Sequence, residues 1–176
     1  MSRKQTDLSI QDIALISLLS ATITAGKLAL AFIPNVEIVT LLFIVYTVAF
    51  GFKKTLLASL VFSTTEILIY GFNTWLLGYY FIWPLLICLT TLVKKKFGSE
   101  YIFATLAGLF GLFFGLFFAL VESVFYGYLY GLSYWLRGIP FDIVHGASNF
   151  IVALLLFKPL KNLLVTQYNK YQSSSY

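Results

Sequence analysis

The side chains that could do chemistry in this chain are ionisable and amide groups set within long apolar runs. Such groups are costly inside a bilayer, so each one is a candidate for binding a ligand or carrying a proton. Helical spacing places most of them on three faces, which hold Glu66, Tyr70 and Asn73; Glu122 and Tyr126; and Asp142, His145 and Asn149. Together with Lys27, we expect these faces to line one polar cavity.

The same groups also have a purely structural interpretation. Lys27 could pair with Glu66, and Asp142 with His145, and each pair would then only fix the register of neighbouring helices. With one His and one Cys in the chain, a metal site would have to rest on scattered carboxylates, and we expect none.

Catalytic motifs are missing from the sequence. The chain has no GxxxxGK[ST] loop for ATP, no GxSxG and no HExxH. We therefore expect neither an enzyme with catalytic residues nor a bound cofactor, and energy for any transport would have to come from elsewhere.

The elements that must position these groups are membrane helices. Hydrophobic residues make up 60% of the 176 residues and charged residues 11%. Apolar stretches close to the bilayer-spanning length of about 20 residues recur along the chain. The sequence predicts an all-α integral membrane protein, a compact bundle of six transmembrane helices. The predicted spans are residues 12–33, 37–52, 55–71, 76–93, 101–126 and 139–157.

Basic residues predict the orientation of this bundle. Ten of the twelve cations flank the same ends of the spans, and they are Arg3, Lys4, Lys53, Lys54, Lys94, Lys95, Lys96, Lys158, Lys161 and Lys170. Short loops rich in Lys and Arg stay in the cytoplasm, so both termini are predicted there. Residues 1–11 then form a cytoplasmic segment, 12–158 the membrane domain and 159–176 a cytoplasmic tail. The net charge of +5 reflects orientation and lipid headgroups better than nucleic acid.

The three predicted outer connections carry amide and aromatic residues, and Arg137 is the one cation among them. They are the corner after Ile33, the stretch GFNTWLLGYY and the longer YGYLYGLSYWLRG. Aromatic walls with a few polar groups suit a sizeable ring-containing ligand, although Trp and Tyr also gather at membrane interfaces. Further ligand-binding candidates on this side are Asn35, Glu37, Trp75, Tyr79, Trp83, Tyr126 and Trp135. Asn35 and Glu37 could equally cap the second helix.

Small residues recur at every fourth position of the first span, at Ser17, Ala21, Ala25 and Ala29. This spacing keeps them on one helix face, and small side chains allow another helix to approach closely. We interpret this small-residue stripe as a docking surface for a partner. Packing against the protein's own helices is the alternative.

Three segments carry a resemblance to a known family: AxxxA at Ala21 and Ala25, the corner IPNVEIVTLL, and GIPFDIVHGASNF. With six spans and both ends inside, the chain resembles the substrate-binding S component of an energy-coupling factor (ECF) vitamin transporter. The resemblance implies a six-helix bundle in a bacterial plasma membrane that captures a vitamin near its outer face. It also implies docking of Ala21 and Ala25 on a membrane coupling subunit that carries two cytoplasmic ATPases.

The ligand within this family stays open. PNVEIVTLL and PFDIVHG look most similar to the cobalamin-type S components, which makes cobalamin or a related corrinoid our first expectation. Riboflavin, folate, pantothenate and queuosine precursors are alternatives. Outside the family, a stand-alone transporter would use Glu66, Glu122 and Asp142 as proton or ion sites, and a membrane enzyme could use the same carboxylates.

Overall fold

A computed structural model describes residues 8–173. Over this range the chain folds into seven α-helices and no strand, which confirms the all-α prediction. The helices are α1 (Ile10–Ala29), α2 (Val39–Phe50), α3 (Phe52–Tyr70), α4 (Thr74–Lys96), α5 (Glu100–Leu112), α6 (Phe114–Tyr126) and α7 (Tyr128–Ser173). Arg3 and Lys4, most of the predicted N-terminal segment and residues 174–176 of the predicted tail lie outside the described range.

Polar side chains cap the starts of α1 and α2. Ser9 caps α1, where its hydroxyl accepts the Asp12 N–H at 3.1 Å and the Asp12 carboxylate accepts in return from Ser9. Ahead of α2, Glu37 accepts the Thr40 N–H at 2.9 Å, which confirms its predicted capping role. These side chains satisfy amide groups that a helix start otherwise leaves free.

The prediction that the stretch YGYLYGLSYWLRG is a loop is wrong. Helix α7 begins at Tyr128 and runs without a break through that stretch. Gly127, at φ 88°, reverses the chain within one residue, and only glycine adopts this backbone conformation without strain. The predicted sixth span, 139–157, is therefore the middle of a 46-residue helix. Pro140 and Pro159 lie inside it and do not end it.

The predicted fifth span is also divided. Residues 101–126 belong to α5 and α6, which meet at Phe113 and are bent by 41°. The bend places the backbone N–H of Gly115 within 2.9 Å of Asp142 Oδ1 on α7. The break between α5 and α6 is therefore accompanied by a hydrogen bond to a side chain of a neighbouring helix.

Length and composition make three helices, α1, α4 and α7, able to cross a membrane, and α5 with α6 makes four if the bent pair is one span. The other two predicted spans fall short for different reasons. The second corresponds to α2, which has only 12 residues. The third corresponds to α3, which carries Lys53, Lys54 and Glu66.

The core is built around α2, whose residues 39–47 are all buried. Phe43, at its centre, stacks on Trp83 of α4 with ring centroids 5.0 Å apart and meets Phe62 of α3 edge-on at 5.8 Å. A helix that is apolar on every side is typical of such an enclosed position. Because its neighbours surround it, α2 need not match the thickness of a bilayer.

Two ends of the bundle can be told apart by their polar contacts. At the first, which we call the basic end, Lys54 lies 2.6 Å from Asp12 and donates to the Tyr168 hydroxyl at 2.7 Å. Lys94 donates to a backbone carbonyl of α2 at 2.6 Å, and Lys158 pairs with Glu100 at 3.2 Å. The opposite end, which we call the cavity end, holds the connections from α1 to α2, α3 to α4 and α6 to α7.

Candidate functional site

A cavity of about 890 Å³ opens at the cavity end. Its lining comes from four places in the chain: the connection before α2, the first turns of α4, the start of α6 and the first half of α7. The lining residues are Asn35, Val36, Glu37, Trp75, Tyr79, Phe114, Gly115, Phe118, Leu129, Tyr130, Ser133, Tyr134, Arg137, Gly138, Phe141, Asp142 and His145.

One polar group in this lining is a bonded pair of side chains, Glu37 and His145. His145 Nε2 lies 3.3 Å from Glu37 Oε1, and the second carboxylate oxygen accepts the Thr40 N–H. Both side chains are largely buried, at 19% and 9% exposure. Glu37 is therefore tied to α2 and α7 at once. The contact joins residues 108 positions apart and fixes the connection before α2 against α7.

Asp142 contributes a second carboxylate to the cavity. Its Oδ1 accepts the Gly115 N–H, whereas its Oδ2 is buried without a hydrogen-bond partner in the part of the chain that the structure describes. The predicted pairing of Asp142 with His145 is wrong. The imidazole turns to Glu37, and the backbone of the α5–α6 break takes its place beside Asp142.

The apolar wall of the cavity is aromatic. Trp75 and Tyr79 meet edge-on with centroids 5.6 Å apart, and Tyr79 meets Phe118 at 5.9 Å. Phe114 meets the His145 ring at 4.7 Å and nearly perpendicular. Edge-to-face contacts of this kind hold rings in defined orientations. The wall therefore offers a shaped surface for a flat ligand.

The rim of the cavity belongs to the first three turns of α7, the segment predicted to be a loop. Gly131 permits this placement, because a Cβ there would lie 2.5 Å from the Ala119 carbonyl of α6. The helix then presents Tyr130, Tyr134 and Arg137 to the cavity. Arg137 is exposed and forms no ion pair within residues 8–173.

An ion pair lies behind the aromatic wall. Lys27 pairs with Glu66, which is completely buried, and the prediction of this pair is confirmed. The Lys27 ammonium also lies over the rings of Tyr70, Tyr79 and Trp75, at 4.6, 5.4 and 5.8 Å from their centroids. Two of these rings line the cavity on their other side, so the pair supports the wall without lining it.

The structure brings six of the predicted ligand-binding residues to the cavity: Asn35, Glu37, Trp75, Tyr79, Asp142 and His145. The remaining predicted ligand-binding residues do not line the cavity, and they are Lys27, Glu66, Asn73, Trp83, Glu122, Tyr126, Trp135 and Asn149. Several of these are bonded elsewhere. Glu122 accepts from Thr74 Oγ1 at 2.8 Å, Asn149 donates to Thr40 Oγ1 at 3.2 Å, and Trp83 is in the core.

Lining residues outside the predicted set come mainly from α6 and the start of α7. Phe114 and Phe118 lie one helical turn apart, but so many phenylalanines occur in this segment that spacing does not single them out. Arg137 had a detectable signal, because it is the one cation in a predicted outer connection.

All four residues of the small-residue stripe are exposed on the outside of the bundle. The inward side of α1 is formed instead by residues such as Ile16, Leu19 and Ile23. Packing of the stripe against this protein's own helices, the alternative interpretation, is therefore not what the structure contains.

Among residues 8–173, no three His, Cys, Asp or Glu side chains come together as a metal-binding group. Comparison with protein-family models, with curated proteins and with solved structures finds no match for the chain. The site must therefore be interpreted from its own chemistry.

Proposed function

We propose that this protein is a membrane-embedded binding protein that captures a small organic molecule in the cavity. The observation that carries the proposal is the lining itself: an aromatic wall beside a small set of polar side chains, around a volume of about 890 Å³. Ligand sites span about 300–1,000 Å³ and combine mostly apolar walls with few polar groups. The volume is near the upper end, which suits a large ligand.

Six membrane spans with the cavity facing outward complete this proposal. Lysines gather at the basic end, and the positive-inside rule assigns such an end to the cytoplasm. The cavity lies at the opposite end and would take its ligand from outside the cell. In this arrangement the enclosed α2 and the charged α3 cross the bilayer shielded by their neighbours.

Delivery of the ligand would then depend on partners. The exposed small-residue stripe on α1 offers a surface for close approach of another membrane helix. Its position supports the role of an S component in an ECF-type importer, with a membrane coupling subunit and two ATPases in the bacterial plasma membrane. A vitamin is the expected ligand class, with cobalamin or a related corrinoid first.

The alternative, a stand-alone proton- or ion-coupled transporter, has less support. It would use Glu66, Glu122 and Asp142, but Glu66 is bonded to Lys27 and Glu122 to Thr74. Neither carboxylate lines the cavity.

Native mass spectrometry of the protein purified from cells fed a vitamin mixture tests the capture role. We expect one intact small molecule retained per protein. A chemically altered molecule would support an enzyme, and a protein that retains none from any feeding would count against capture.

The docking role has its own test, in which Ala25→Leu is compared with Ala147→Leu. Both alanines are exposed, but Ala147 lies on α7 away from the stripe. Ala25→Leu should abolish uptake into cells and leave ligand retention unchanged, because bulk on the stripe blocks helix approach. Ala147→Leu should retain both activities. Loss of ligand retention in Ala25→Leu would contradict the docking role.

A further inference from the structure

A second cavity, of about 350 Å³, lies at the basic end of the bundle, and we call it the inner groove. It runs between the start of α1 and the last part of α7, and it shares no lining residue with the cavity described above. Its apolar lining comes mainly from Leu15 and Leu18 of α1, Phe50 of α2 and Leu164 of α7. Leu18 is 60% exposed, so the inner groove opens to the outside of the bundle.

The inner groove is a gap between two helices that do not pack on each other. No Cα atom of α1 comes within 8 Å of a Cα atom of α7 in the described chain. Helix α2 packs on both, and the Phe50 ring at its end meets the Tyr168 ring edge-on, with centroids 5.3 Å apart. An empty gap loses van der Waals contacts along its whole lining, so in a bilayer we expect an apolar chain to fill it.

Polarity changes along the inner groove. Helix α1 begins at the basic end, and Gln11 lies about 10 Å closer to that end than Leu18 does. Helix α7 ends there, and Gln167 and Tyr168 follow Leu164 in the same direction. The inner groove is therefore polar at its mouth and apolar toward the middle of the bundle. A molecule with a polar head and an apolar chain matches this order.

The polar mouth of the inner groove lies among positive charges. Lys54 lies 2.6 Å from Asp12 and donates to the Tyr168 hydroxyl, and both of these partners line the inner groove. In the described chain the basic end holds two carboxylates, Asp12 and Glu100, and eight lysines, which are Lys53, Lys54, Lys94, Lys95, Lys96, Lys158, Lys161 and Lys170. Lysines near a membrane surface attract anionic headgroups. Charge therefore favours an anionic head at this mouth.

The width of the inner groove selects a chain over a helix. One turn of an α-helix about 10 Å across fills about 420 Å³, which exceeds the volume of the whole groove. An acyl chain is a single file of methylene groups and fits. We propose that the inner groove binds one acyl chain of an anionic phospholipid, with the phosphate at the polar mouth beside Lys54. This site goes beyond ligand capture and does not depend on which molecule the cavity takes.

Native mass spectrometry of the purified full chain tests this binding, after co-purified lipid has been removed in detergent. The probes are phosphatidylglycerol and phosphatidylcholine with the same acyl chains, added in equal amounts. We expect one phosphatidylglycerol bound per protein and about tenfold weaker retention of phosphatidylcholine, because only phosphatidylglycerol carries a net negative charge.

Filling the inner groove should remove the bound lipid. Ala14 is exposed and lines the groove, so Ala14→Trp places an indole where the acyl chain would lie. Ala147→Trp is the matched control, because Ala147 is exposed on α7 and lines neither cavity. It should retain phosphatidylglycerol as the unaltered protein does. A melting curve for each variant reports folding.

Two charge variants distinguish a site from general attraction to the basic end. Each removes one lysine, but Lys54 is bonded to residues that line the inner groove, whereas Lys158 pairs with Glu100 of α5. Lys54→Gln should remove most of the preference for phosphatidylglycerol, and Lys158→Gln should keep it. An equal loss in both variants would overturn the proposal, because the attraction would then belong to the whole basic end.

The proposal is also overturned if the two lipids are retained equally, if neither is retained, or if Ala14→Trp retains phosphatidylglycerol as the unaltered protein does. Retention of neither lipid would leave the inner groove to a side chain of a docked protein. None of these outcomes bears on the capture of a small molecule in the cavity, which has its own test.

Discussion

The two ends of the bundle treat their polar groups differently. At the basic end, Lys54 is bonded to Asp12 and Tyr168, and Lys158 is bonded to Glu100. These charged side chains therefore have their partners within the protein itself. At the cavity end, Asp142 and Arg137 line an open volume. The comparison teaches that charge alone does not mark a site in this protein. A cavity beside the polar groups marks it better.

The largest loss of stability is expected at the cavity end, when the ion pair between Lys27 and Glu66 is broken. Lys27→Met leaves the Glu66 carboxyl group completely buried and without its partner. Breaking a buried pair in this way costs about 3–5 kcal/mol of unfolding free energy. Thermal unfolding in detergent measures the loss.

The double variant Lys27→Met with Glu66→Leu is the control for that measurement. It removes both charges, and apolar replacements of a buried pair are close to neutral, so most of the stability should return. A single variant as stable as the unaltered protein would show that Glu66 is not held as a buried carboxylate.

A smaller effect is expected from one methyl group beside the cavity. In Gly115→Ala the new Cβ would lie 2.7 Å from Asp142 Oδ1, so the carboxylate must move away from the Gly115 N–H. Overpacking of this kind costs about 1–3 kcal/mol. Gly98→Ala is the matched change near the basic end, where a Cβ would meet nothing within 4 Å. Equal melting temperatures for the two variants would contradict the prediction that an added methyl group destabilises the cavity end more than the basic end.

The smallest effect is expected at the basic end itself. Lys54→Met breaks the pair with Asp12, whose side chains are 21% and 25% exposed. Pairs in contact with water contribute about 0–1 kcal/mol, and salt screens them. Melting curves at low and high salt should therefore converge with those of the unaltered protein as salt rises. A loss as large as that of Lys27→Met would make the two ends equivalent.

The positions of the helices along the chain were predictable, whereas the face that each helix turns toward the cavity was not. Apolar length and punctuation placed α1, α4 and the middle of α7 within a few residues, because these features act locally along the chain. The turn at Gly127 was not predicted, because a single glycine makes the chain reversal for which a loop was expected.

Site residues were predictable only where polarity made them conspicuous. Glu37, Asp142 and His145 were found because charge is rare in apolar runs. Phe114 and Phe118 were not found, because phenylalanine is so frequent in this part of the sequence that spacing along the helix does not single out two of them. The partner of His145 depended on contact between residues 108 positions apart, which no local pattern encodes.

The length of α7 ties the two ends together mechanically. One continuous helix of 46 residues carries Arg137 and Asp142 at the cavity and Tyr168 beside Lys54 at the far end. At 1.5 Å per residue it is about 69 Å long, more than twice the hydrocarbon thickness of about 30 Å. If α7 tilted as one rigid body by about 10° around its midpoint, each tip would be displaced by about 6 Å, and neither end could move without the other.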